Sequence, residues 1–140
     1  MPGLESKGCA PPVSPVVKQV KTLNLETDES LSVPNEWTDI PEMAITLTTE
    51  ASTLLIVASF SATAAYEASY AIVVDGVQKR GARETHAGTE DHSGCIVHTQ
   101  SINAGSHTVK LQWMVGGATL SCLASTSPEI HHVGLTVIEY

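Results

Sequence analysis

Apolar residues in this chain recur with a spacing of two far more often than with the 3.6 of a helix. Met43, Ile45 and Leu47 alternate with Ala44, Thr46 and Thr48, which predicts a strand with one buried face. Residues 54–57 (LLIV) open a run apolar enough for a strand covered on both sides. Residues 70–74 (YAIVV) lead into Asp75-Gly76 and Val77, and Asp-Gly between β-formers is a strong hairpin signal. Further strands are predicted at 95–102, 107–115, 118–123 and 135–140, with shorter runs around Val20, Leu23, Leu25, Leu31 and Val33. Residues 79–94 are polar and contain Gly, which reads as a long loop or weak strand. The Ala-rich stretch 60–70 leaves room for one helical turn. No sustained i, i+3, i+4 stripe occurs. Eight or so short strands between Gly, Pro, Asn and Ser turns predict an all-β fold, a two-sheet antiparallel jelly-roll sandwich. Its candidate core is Trp37, Ile45, Leu47, Ile56, Val109, Leu111, Trp113 and Val137, with Trp37 plugging one end.

The first sixteen residues break this pattern, because they hold four of the seven prolines. Proline fixes φ and removes a donor, so residues 1–16 are expected to form an extended arm ahead of a sandwich domain spanning 17–140. Charge divides the same way. Residues 1–21 carry +2, while the remainder carries −10. So acidic a body lacks the clustered Lys and Arg that phosphate neutralisation needs, and no nucleic-acid partner is expected. The 140 residues contain no 18-residue apolar run and no apolar signal core near Met1, so a soluble single domain without membrane insertion is expected. Extended, the arm reaches roughly 50 Å. Leu4, Val13 and Val16 offer apolar anchors on it, and Lys7 and Lys18 offer steering charge towards an acidic partner.

Four strings occur in order: EWTDIPEMAITLTTE (36–50), IVVDGV (72–77), AGSHTVKLQW (104–113) and GLTVIEY (134–140). As a set they resemble small trimeric viral and bacterial β-sandwich proteins of the tumour-necrosis-factor and complement-head jelly-roll type, as in phage capsid decoration (cement) proteins. The resemblance covers residues 36–140 and skips 79–95. It implies a homotrimer and a non-enzymatic virion structural protein, made in the host cytoplasm and placed on the capsid surface. Its partners would be the major capsid protein or another virion protein. The alternative is a receptor- or glycan-binding head of a phage tail fibre or bacterial adhesin. Six aromatic residues in the whole chain speak against that alternative, since sugar sites are usually lined by aromatics.

No sequence motif for catalysis, phosphate binding or metal binding is present, and neither a catalytic set nor a cofactor is expected. His92, Cys95 and His98 have a spacing that would suit zinc in a turn, but on a strand Cys95 faces away from both histidines. A Cys95–Cys122 bridge requires facing strands. Glu139 shares a strand face with Leu135 and Val137, which predicts a salt bridge or an interface near the chain end.

Overall fold

The computed structural model describes residues 16–27, 29–116, 120–122 and 133–140, with side chains except those of 62–66, 84–92 and 120–122. Eight strands and no helix occur among them: β1 Gln19–Asn24, β2 Glu29–Leu31, β3 Thr38–Thr49, β4 Ser52–Val74, β5 Val77–Ile102, β6 Gly105–Val115, β7 Leu120–Cys122 and β8 Val133–Glu139. All pairings between them are antiparallel.

The β4–β5 hairpin organises the molecule. β4 pairs with β8 through Leu54–Phe60 and with β6 through Ala68–Val74, while β5 follows its other edge along most of its length. Each half of the hairpin therefore belongs to a different sheet. The first sheet is ordered β1-β8-β4-β5 and the second β3-β6-β4-β5, and the short β2–β7 pair joins β4 between them. Counted by halves, this is a two-sheet antiparallel β-sandwich of four strands against four. Phe60 and Tyr70 show how the hairpin closes on itself. They lie on opposite halves of β4, and their rings stack with centroids 3.6 Å apart.

The core lies between the sheets. Leu54, Ile56, Leu135 and Val137 from the first sheet and Ile72, Val109 and Leu111 from the second are fully buried. Each such side chain contributes about 1.5–3 kcal/mol of hydrophobic stabilisation. Ile45, Leu47 and Trp113 join the same cluster. Trp37 does not. It is half-buried and lies on the outside of the second sheet, because it precedes β3 rather than sitting within its inward-facing register.

Two local features depend on backbone chemistry. Asp75 (φ 50°) and Gly76 (φ 80°) both occupy the left-handed region, which the two-residue turn between β4 and β5 requires. In β3 the register with β6 slips between Asp39 and Ala44, so Ile40 to Met43 bulge. The bulge accommodates Pro41, which has no N–H for a ladder. Glu42 adopts φ 66° there and turns its carboxylate to accept from the Glu26 N–H (3.3 Å) and the Thr27 hydroxyl (3.2 Å).

Two alternatives left open by the sequence resolve to strand. Residues 79–94 are strand rather than loop, and 60–70 hold no helical turn; they lie in β5 and β4 respectively. The partner strand supplies the backbone hydrogen bonds, so pairing extends where side-chain pattern alone predicts none.

Candidate functional surfaces

The two outer faces of the sandwich differ in chemistry. On the second sheet, Asp39 accepts from Lys110 Nζ (2.8 Å) and Gln112 Nε2 (2.7 Å), Gln78 donates to Gln112 (3.0 Å), and Arg83 pairs with Glu67 (3.2 Å). This lattice is built for water. The Lys110 and Gln112 contacts hold the Asp39 carboxyl below its ordinary value.

The first sheet carries no such lattice. Its inward positions are buried, so the alternate positions face out. Cross-strand register places Val20, Ile138, Leu55 and Thr99 in one row, Thr22, Thr136, Val57 and Val97 in the next, and Asn24, Gly134, Ser59 and Cys95 in the third. None of these twelve residues is acidic, basic or histidine. Val20 and Val97 are about half exposed, at 54% and 50%. Cys95 is a free, exposed thiol.

A shallow depression of about 180 Å³ on the second sheet is lined by Trp37, Ser69, Gly81, Ala82 and Arg83. Trp37 reaches it because the preceding segment is fastened to the end of β6. Pro34 bridges Val115, the Asn35 N–H donates to the Val115 carbonyl (2.8 Å), and Asn35 turns the chain at φ 59°. Gly81 gives the depression a bare backbone floor; a Cβ there would stand 3.0 Å from the Tyr70 carbonyl oxygen. Ser69 is 3% exposed, and its hydroxyl has no hydrogen-bond partner among the described residues. Two other depressions lie along the seam where β1 and β3 approach. Gln19 and Lys21 span that seam by donating to the Thr48 and Thr46 carbonyls (2.8 and 2.9 Å).

Two ionisable groups tie strands and turns together, Glu139 and His107. Glu139 is buried and accepts from Gln19 Nε2 (2.5 Å), Ser52 Oγ (2.7 Å) and the Glu50 N–H (3.0 Å). Those bonds, Gln19 first, hold its carboxyl below the ordinary value. A buried carboxylate on an apolar strand face thus ties β1, β8 and the β3–β4 turn together. His107 sits between the two hairpin turns. Its Nδ1 is 2.7 Å from Asp75 Oδ2 and its Nε2 is 2.8 Å from the Asn103 carbonyl oxygen. Both partners are acceptors, so both ring nitrogens donate and the ring is favoured as imidazolium. Asp75 accordingly raises the His107 pKa, and His107 lowers that of Asp75.

The sequence-based candidates divide. Ile45, Leu47, Ile56, Val109, Leu111, Trp113 and Val137 lie in the buried cluster. Leu4, Lys7 and Val13 fall outside the described residues. Val16 is 73% exposed. Lys18 is not a free steering charge. Its backbone N–H donates to the Glu139 carbonyl (2.8 Å) and its ammonium pairs with Glu50 (2.9 Å), because it continues the β1 register. His98 and Cys95 point to opposite faces of β5, and His98 contacts Gln100 (3.0 Å). Among the described residues, no group of three side chains is placed to hold a metal ion, and no helix is long and apolar enough to cross a membrane. The uncharged face and the Trp37 depression were missed from sequence, since both depend on which strands become neighbours.

No family model and no curated protein matches the chain. Among solved structures it is similar to dimeric latent PorU from Porphyromonas gingivalis, with 8% identity and a TM-score of 0.41 over 86% of this chain and 13% of that one. It is also similar to the insecticidal delta-endotoxin Cry8Ea1 from Bacillus thuringiensis, with 12% identity and a TM-score of 0.40 over 85% of this chain and 19% of the toxin. The chain spans less than a fifth of the length of either protein.

Proposed function

We propose that this chain is a non-enzymatic virion structural protein, a homotrimeric capsid decoration protein that bridges subunits of the major capsid protein. The reading joins the four-motif resemblance to one observation, the uncharged outer face of the first sheet. A face whose two central rows are Val, Leu, Ile and Thr, without a charge, offers nothing by which to select a charged partner. Apposed against copies of itself, it buries apolar area without stranding an ion. The polar lattice on the opposite sheet stays in water in such an assembly. Glu139 and the Asp75–His107 pair fasten strands and turns, as a scaffold requires.

Assembly is tested by light scattering and sedimentation at micromolar concentration. The expected species is a trimer, with interfaces above roughly 1,000 Å² in total. Val57→Glu places a carboxylate in the middle of the uncharged face, and it should give a folded monomer with an unchanged far-UV spectrum. A wild-type monomer, or a Val57→Glu trimer of undiminished stability, overturns the reading. Capsid attachment is tested by adding the purified protein to phage heads assembled without it. Failure to co-sediment overturns the decoration role.

A further inference from the structure

The Trp37 depression has the composition of a binding site and no evident structural purpose. Trp37 is one of two tryptophans, and burying its indole between the sheets would be the usual outcome for so large an apolar group. Instead it is held on the outer face by the Pro34–Asn35 turn, next to the bare backbone of Gly81. Beside it, the Arg83 Nε contacts Glu67 Oε1 at 3.2 Å, and the Arg83 side chain is 63% exposed. Directly across from Arg83 in the β4–β5 register lies Ser69, whose buried hydroxyl lacks a partner. A buried hydroxyl left unpaired carries a desolvation cost that the fold could have avoided with alanine.

We infer that the depression formed by Trp37, Ser69, Gly81 and Arg83 binds a neutral hexopyranose unit of a glycan. The chemistry follows from the groups present. A pyranose ring has an apolar C–H face that stacks on an indole, and a rim of hydroxyls that both donate and accept. The Arg83–Glu67 pair supplies a donor fork beside an acceptor, which matches vicinal hydroxyls: one accepts from the guanidinium, the other donates to the carboxylate. Because the pair is electrically balanced, it favours a neutral sugar over a uronic or sialic acid. The volume of about 180 Å³ suits one sugar ring. The site lies on the sheet opposite the uncharged face, so it stays open in the proposed trimer, and its failure or success does not depend on that assembly.

The test uses the full chain and the methyl glycosides of glucose, galactose and mannose, with methyl glucuronoside as the anionic comparison. Trp113 is buried at 1% exposure, so ligand-dependent change in tryptophan fluorescence reports on Trp37. At least one neutral glycoside should titrate to saturation in the millimolar range expected of a single ring with few contacts. Arg83→Ala, at an exposed position, should weaken it about tenfold or more. Trp37→Ala should abolish binding, read by isothermal calorimetry, while the near-UV signal of Trp113 shows that the fold is intact. No saturation by any of the three neutral glycosides overturns the inference. So does stronger binding of the glucuronoside, or wild-type affinity in Arg83→Ala.

Discussion

Replacing Asp75 with Asn changes one charge and little else, which makes it a clean probe of the pin between the two hairpin turns. Asn tolerates the left-handed backbone at this position, and Asn-Gly suits the turn as well as Asp-Gly does. Its amide oxygen can still accept from the Thr108 N–H, which Asp75 Oδ1 meets at 2.9 Å. What disappears is the carboxylate 2.7 Å from the His107 ring. Asp75 is 46% exposed, so solvent screens the pair and its contribution is about 1 kcal/mol rather than the larger Coulomb figure. That corresponds to a melting shift of about 3 °C for a domain of this size. The pH dependence is the sharper signature. The folded-state pKa of His107 is raised above its ordinary 6.5, so its share of the stability is complete below 6.5 and is lost as pH rises through the raised value. The Asp75 pKa is lowered from 3.8, so its share is present above 3.8 and is lost as pH falls through the lowered value. The gap between wild type and Asp75→Asn should therefore be widest at about pH 4.5–6 and narrow towards pH 9. Thermal melting at fixed protein concentration in a pH series measures it. A gap that is constant from pH 5.5 to 9, or that widens, refutes the imidazolium pin.

Three further outcomes are expected. Leu111→Ala empties a fully buried site on β6 and should cost about 2–5 kcal/mol in denaturant unfolding, with a much smaller loss for Leu111→Met. Glu139→Gln should lower the melting temperature at neutral pH. The difference from wild type should close below pH 4.5, because the pKa of Glu139 is lowered by its bonds and its contribution is lost as pH falls through that value. Deleting residues 1–16 should leave the melting transition of the sandwich unchanged, yet sharply reduce co-sedimentation with heads assembled without this chain. Normal retention would assign attachment to the sandwich alone.

Period-two alternation and turn chemistry made much of the fold legible in the sequence. Met43, Ile45 and Leu47 could bury only one face, and Asp75-Gly76 could be little other than a tight hairpin turn. Val109, Leu111 and Trp113 declared the inward face of β6. These are local properties, decided by sterics and by the side to which each side chain points. Residues 60–70 and 79–94 left a helical turn and a loop open beside strand, because their strand character comes from each other. A long hairpin satisfies its own backbone whatever its side chains prefer. The functional surfaces were illegible for the same reason on a larger scale. Val20, Leu55, Val97 and Ile138 are scattered through the chain and look like ordinary strand residues singly. Only the order β1-β8-β4-β5 makes them one uncharged face. By type Trp37 is a core residue, Arg83 belongs to a small solvated cluster with Lys79 and Arg80, and Ser69 is an ordinary small strand residue. The fastening of Pro34 and Asn35 to the end of β6 and the β4–β5 register bring the three to one depression. Sequence determines which residues turn inward, but neighbours across strands are set by the fold, and binding surfaces are made of neighbours.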